Sequence, residues 1–248
     1  MFKTNCIHVG TSGWSYKHWR GNFYPDNLTE KEYLAYYSKH FSTVEINSSF
    51  YHLPQEKTVT DWTETVPEDF IFSVKASRYI THMKKLTDPE KSVSLFFESI
   101  QGFKNKLGPV LFQLPPQFEF NPERLKSFLK VLPENYRYAF EFRDSSWFNP
   151  IVYELLKEKN IAFCIYNLGD YYSPKEITAD FVYIRCHGPV NLGQGLYNRE
   201  KIIGFSNDIK NYLKSGKEVF CYFNNDESGY APQNATELQH ILDDFINN

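Results

Sequence analysis

Charged and amide side chains recur at one kind of place in this 248-residue chain, the C-terminal edge of short apolar runs. Glu45 and Asn47, Lys75, Gln113, Glu141 and Arg143, Arg185 and His187, and Asn224 and Asn225 all sit at such edges. Two arginines and a lysine suit a phosphate or carboxylate, because the guanidinium fork and the ammonium give strong charge-assisted hydrogen bonds. Asn47, Gln113, Asn224 and Asn225 offer donors and acceptors to hydroxyl groups. Glu45 or Glu141 can act as general acid or base, with Lys75 or an arginine stabilising developing negative charge. Glu45, Lys75, Glu141 and His187 form the expected catalytic set. Asn47, Tyr51, His82, Gln113, Arg143, Trp147, Arg185, Asn224 and Asn225 form the expected ligand-binding set. Tyr51 and Trp147, with Trp14 and Tyr222, offer faces on which a sugar or base can stack.

Two other chemistries compete. A Schiff base on Lys75 needs a lowered pKa, and neighbouring carboxylates would raise it. A divalent metal on Glu45, Glu141, His187 and Asp226 would have to sit among Lys75, Arg143 and Arg185, which repel a cation. HExxH and paired HxH or DxD spacings are absent. No metal ligand is therefore assigned and no cofactor is required, the metal-dependent isomerase or nuclease-like hydrolase staying as the alternative.

These residues need elements to hold them. Eight apolar runs, Ile7–Gly10, Thr43–Asn47, Phe70–Lys75, Val110–Leu114, Tyr138–Arg143, Ala162–Asn167, Phe181–His187 and Val219–Asn224, begin roughly every 20 to 40 residues. Segments of helical character separate them. Thr29 and Glu32 fit a capping box ahead of a helix over Leu28–Phe41. Asp88-Pro89, Asn121-Pro122 and Asn149-Pro150 each place a capping side chain before a proline at the first helical position. Val93, Phe96, Phe97, Ile100 and Phe103 form one apolar stripe. Arg199–Lys214 and Ala231–Ile246 complete the set. Alternating strands and helices of this number predict an α/β fold, a single (β/α)8 TIM barrel spanning 1–248, with a chemical site at the strand C-termini. Gly169–Ala179 is too short and too rich in Tyr and Pro for a sixth helix, so that helix is abbreviated to an irregular connection with one turn. Gly188–Tyr197, rich in glycine, predicts a mobile loop over the barrel mouth.

Strand parity sorts the side chains. Val44 and Ile46, Phe70, Phe72 and Val74, Phe140 and Phe142, and Val182 and Ile184 face the helices. Glu45 and Asn47, Lys75, Leu111 and Gln113, Glu141 and Arg143, and Tyr183, Arg185 and His187 then face inward, with Phe220, Tyr222 and Asn224. The inward set turns polar only near the C-terminal ends. Buried charges of this number must pair with each other or with a ligand. A purely structural ion-pair plug is the competing reading.

Composition excludes several classes. The formal net charge is -3 with no basic stripe, so a duplex nucleic-acid binder is not expected. Cys6, Cys164, Cys186 and Cys221 form no CxxC pair and read as reduced and mostly buried. No signal-peptide pattern and no apolar stretch of bilayer length occur, so a soluble cytoplasmic protein without a membrane partner is expected.

The ordered motifs resemble one family. Gly10-Thr11-Ser12-Gly13-Trp14-Ser15-Tyr16, Glu45-Ile46-Asn47-Ser48-Ser49-Phe50-Tyr51, Phe72-Ser73-Val74-Lys75 with Thr81-His82, and Gln113-Leu114-Pro115-Pro116 come first. Glu141-Phe142-Arg143 with Ser146-Trp147, Arg185-Cys186-His187-Gly188, and Tyr222-Phe223-Asn224-Asn225-Asp226 follow. Together they are similar to the YecE-like family, also called domain of unknown function 72, over nearly the whole chain. The resemblance implies a (β/α)8 barrel and no stated activity. The residues themselves point to a barrel enzyme using carboxylate and lysine acid–base chemistry on a small anionic, hydroxyl-rich ligand such as a sugar phosphate or nucleotide. A non-catalytic anion- or metabolite-binding protein is the alternative from another class.

Overall fold

The computed structural model describes residues 6–247. Its strands are β1 (Ile7–Thr11), β2 (Thr43–Ile46), β3 (Ile71–Lys75), β4 (Leu107–Gln113), β5 (Tyr138–Glu141), β6 (Ala162–Leu168), β7 (Tyr171–Tyr172), β8 (Phe181–Cys186) and β9 (Glu218–Phe223). Their hydrogen-bonded order is β1-β9-β8-β6-β5-β4-β3-β2, with β7 off this path and antiparallel to β6. An isolated parallel bridge between Ser12 and Glu45 joins the two ends of that order. This is a (β/α)8 barrel. The helices are α1 (Tyr33–Tyr37), α2 (Glu56–Thr65), α3 (Pro89–Ile100), α4 (Pro122–Val131), α5 (Pro150–Glu158), α6 (Arg199–Lys214) and α7 (Tyr230–Asn247).

Contacts gather into two units, each taken by itself below. The first holds the described residues up to Glu45, Ile165–Lys175, and the described residues from Asp180 onward; the second holds Ile46–Cys164 and Glu176–Ala179.

In the second unit the outward side chains meet the helix layer. Phe72 packs on Phe103 at 5.0 Å between ring centres, Phe112 on Phe128 of α4 at 5.1 Å, and Phe140 on Phe128 at 6.1 Å. Asn121 caps α4 by accepting from the Arg124 N–H at 2.9 Å, and Asn149 caps α5 by accepting from Val152 at 3.3 Å. Asp88 does not cap α3 as its sequence suggests. It adopts left-handed backbone angles (φ 42°, ψ 59°), and its carboxylate takes the Lys84 ammonium at 3.4 Å instead. Helix α2 carries no readable apolar stripe, since Val59 is its one buried residue and its four threonines lower helix propensity. Buried Lys106 supports it by donating to the Thr63 and Val66 carbonyls at 2.8 and 3.1 Å, where a helix end leaves acceptors open.

In the first unit the inward rings touch one another, Tyr183 lying 5.4 Å from Tyr222 and 6.4 Å from Phe220. The capping box forms, with the Glu32 carboxylate accepting from the Thr29 N–H at 2.9 Å. Its helix is shorter than expected, a 3-10 turn over Glu30–Glu32 running into α1. The connection after β6 holds no helical turn; Tyr171 and Tyr172 return antiparallel against Leu168 and Asn167. Gly188–Tyr197 is a loop tied at its two ends. The Gly188 N–H donates to the Tyr197 hydroxyl at 2.6 Å, that hydroxyl donates to Asn167 at 2.8 Å, and Asn234 grips Tyr197 through both its backbone groups.

Gly10 decides the approach of β1 to β2. A Cβ there would lie 2.3 Å from the Thr43 carbonyl oxygen, which is backbone and cannot swing away. Gly10→Ala must push the strands apart, and we expect a loss of roughly 3 kcal/mol, the upper end of ordinary overpacking costs, read as a lower midpoint in denaturant unfolding. An unchanged midpoint would mean that the strand ends tolerate separation.

Candidate functional site

Glu45 organises the first unit. Its carboxylate is fully buried and accepts from the Ser12 hydroxyl at 2.6 Å, the Arg185 Nη2 at 2.7 Å and the Tyr183 hydroxyl at 2.7 Å. Strand parity explains the meeting, because Tyr183 and Arg185 are two residues apart on β8 and share a face. Burial first, and then the Glu45 charge, push the Tyr183 hydroxyl well above its usual pKa, so it stays a proton donor to the carboxylate. Arg185 is 1% exposed and bound to Glu45, so its placement is that of a buried ion-pair partner rather than of a guanidinium presented to a ligand.

His187 is also buried, its Nδ1 3.0 Å from the Asn224 amide nitrogen. Asn225 turns the other way: its amide nitrogen donates to the Gly195 carbonyl at 2.9 Å and to Asn234 at 3.0 Å, so it braces the loop. Trp14 and Tyr222 are buried and offer no open stacking face. Asp226 is half-buried, and burial raises its pKa above the ordinary carboxylate value; the His18 Nε2 lies 3.9 Å from it.

The second unit gathers cations. Lys75 ends β3 and places its ammonium 4.1 Å from the centre of the Phe50 ring, a cation–π contact. The same ring meets the edge of His82 at 4.9 Å. His82 belongs to a single π-helical turn over Tyr79–Met83, and its Nδ1 lies 2.9 Å from the Thr81 hydroxyl. Burial, then the positive charges of Lys75, Arg78 and Arg143, lower the His82 pKa from 6.5 to about 4. Arg143 donates through Nε to Glu141, which is fully buried and lies 3.8 Å from the Cys164 thiol. Gln113 stands in register with Glu141 on the neighbouring strand. The side-chain oxygen of Asn47 is buried with no hydrogen-bond partner.

Two expected ligand contacts fall elsewhere. Trp147 is fully buried, stacked on Phe142 at 4.9 Å and donating to the Phe118 carbonyl, so it is a core wedge and not a stacking platform. Tyr51 is 63% exposed and lines an open groove, one residue from Phe50. Among the described residues no three His, Cys, Asp or Glu side chains form a group able to hold a metal ion. Among the same residues no helix is long and apolar enough to cross a membrane.

A family model described as "Protein of unknown function DUF72" matches residues 8–247. The chain belongs to the DUF72 family. It is 26% identical to the UPF0759 protein YunF of Bacillus subtilis, over 96% of this chain and 95% of that one. It is 30% identical to the UPF0759 protein YecE of Escherichia coli, over 57% of this chain and 50% of that one. A crystal structure of a DUF72 family protein from Thermotoga maritima superposes with a TM-score of 0.86 at 29% identity, covering 96% of this chain and 99% of that one.

In this DUF72 protein three residues escape parity reasoning, Ser12 in the first unit and Phe50 and Arg78 in the second. Ser12 lies just past β1 and Phe50 in a 3-10 turn, where no period sorts side chains. Arg78 precedes the π-helical turn and reads in sequence as an ordinary loop cation. The two buried carboxylates should respond differently to neutralisation. Glu45→Gln strands Arg185, which has almost no solvent, and should cost about 3–5 kcal/mol. The Arg143 side chain keeps 11% exposure, so Glu141→Gln should cost under about 1.5 kcal/mol. Denaturant unfolding of both variants gives the order, and a reversed order would make Glu141 the structural carboxylate.

Proposed function

We propose that this protein is an enzyme that binds a small anionic, hydroxyl-bearing ligand at Lys75, His82 and Arg143, and that Lys75 and Glu141 supply acid–base chemistry to it. The observation that carries this reading is the meeting of Lys75 and His82 on one aromatic ring, the Lys75 ammonium 4.1 Å from the centre of Phe50 and the His82 ring 4.9 Å from it. Burial first, and then Lys75, Arg78 and Arg143, lower the His82 pKa to about 4, which places these cations around the ring. Arg143 holds the Glu141 carboxylate. A lysine and a guanidinium grip an anion by charge-assisted hydrogen bonds, which supports an anionic ligand here.

The hydroxyl character rests on Asn47. Its buried side-chain oxygen wants a donor, and a ligand hydroxyl is one. Gln113, half-buried beside Glu141, adds a second amide. In the reaction Lys75 would stabilise negative charge as it develops, while Glu141, freed from Arg143 when the anion takes that guanidinium, would move the proton. Binding without turnover is the second reading, favoured by the complete burial of Glu141.

Calorimetric titration with phosphate, sulfate and sugar phosphates tests the proposal. Loss of one charge-assisted contact is worth roughly 1.5–3 kcal/mol, so Lys75→Ala or Arg143→Ala should weaken binding about tenfold or more. Affinity that survives both changes together would place the anion elsewhere. Sulfate keeps its charge between pH 7 and 4, so its profile reports the protein. A bound anion offsets the cations and raises the His82 pKa from about 4 toward 6.5, which couples anion binding to proton uptake. Sulfate should therefore bind more tightly as pH falls from 6.5 to 4, and His82→Gln should flatten that slope. A substrate turned over by the wild type but only bound by Glu141→Gln would separate the enzyme from the binding protein.

A further inference from the structure

An open groove of about 600 Å³ lies in the second unit, within the size range of small-molecule sites. Tyr51, Leu53, Tyr79 and Leu95 line it and are 63%, 40%, 46% and 47% exposed, an unusual share of bare apolar surface for one patch. Polar groups also line it, namely Lys84, Asp88 and Lys91.

This groove adjoins the cation cluster through one ring. Tyr51 meets Phe50 edge to face at 5.1 Å, and Phe50 also meets the Lys75 ammonium and the His82 ring. The π-helical turn supplies both sides, since it carries Tyr79 for the groove and His82 for the cluster. Single π turns occur often at functional sites. The segment that follows is strained. Lys85 and Leu86 hold φ values of 46° and 68°, in the left-handed region that residues other than glycine, asparagine and aspartate seldom adopt, and Asp88 joins them at 42°. The strain gives up a ready cap for α3 and leaves Asp88 on the groove wall, paired with Lys84.

We infer that the anion of the proposed function belongs to a nucleoside monophosphate, whose phosphate binds at Lys75, His82 and Arg143 and whose base stacks in the groove between Tyr51 and Tyr79. The inference rests on the reading of Lys75, His82 and Arg143 as an anion site. Two exposed aromatic rings favour a planar partner over a flexible chain, because stacking needs a flat face and is indifferent to its edge pattern. A base also presents both donors and acceptors at its edge, which the Lys84 ammonium and Asp88 carboxylate complement.

Calorimetric titration of the full chain with AMP, ribose 5-phosphate and inorganic phosphate tests it. AMP should bind about tenfold more tightly than ribose 5-phosphate, the usual order for one stacked base. Tyr51→Ala and Tyr79→Ala, both at exposed positions, should remove that advantage while leaving the affinity for inorganic phosphate unchanged. Lys75→Ala should weaken all three ligands. Equal affinity for AMP and ribose 5-phosphate, or an AMP advantage that survives both tyrosine changes, overturns the nucleotide assignment and leaves the anion site standing. Failure of all three to bind overturns both.

Discussion

The Glu45 carboxylate is the constraint on which the seam between β1 and β2 depends. The two strands meet through an isolated bridge at Ser12 and Glu45, supported by the Gly13 N–H on the Glu45 carbonyl at 2.8 Å. A carboxylate without solvent would ordinarily neutralise or unfold its surroundings. Here a hydroxyl from the end of β1, and a guanidinium and a phenol from β8, converge on it. Three donors bring it close to the hydrogen-bonding capacity it has in water. The charge is tolerable because the seam forms, and the seam is held because the charge needs those donors.

The second unit resolves similar chemistry differently. Glu141 has the Arg143 guanidinium, and the charges of Lys75, Arg78 and Arg143 all bear on His82. Lys75 stands over an aromatic face, a contact that weakly offsets desolvation of an ammonium. Glu45 and Arg185 are buried and paired with each other, whereas Lys75 and His82 meet on the Phe50 ring, although Glu45, Lys75 and Arg185 sit at comparable places in the sequence pattern.

Strand residues were legible because a period of two leaves no choice of face. Phe72, Phe112 and Phe140 meet aromatic side chains of the helix layer, and Tyr183 and Tyr222 meet one another, as alternation requires. Residues in turns were not legible, since a turn has no period. Trp147 looks in sequence like a ring at a strand end, yet the 3-10 turn at Ser145–Trp147 drives it into the core against Phe142. Asn225 reads as a ligand amide, and one residue beyond Asn224 its side chain braces Gly195 instead. Asp88 has the composition of a cap, but a left-handed backbone carries its oxygen away from the helix N–H groups. The sixth connection was recognisable as too short for a helix, while its antiparallel pairing depends on Asn167 and Leu168 offering an open strand edge.

A cluster of like charges is costly in an empty site, and His82 shows how that cost is limited. Were the imidazole protonated beside Lys75, Arg78 and Arg143, it would add a further positive charge to a half-buried place. The ring therefore stays neutral, and the Thr81 hydroxyl at Nδ1 steadies its orientation. Under the anion-binding proposal a neutral ring in that position is also a reserve: an anion would offset the field that holds the proton off, and the imidazole would then become one more donor.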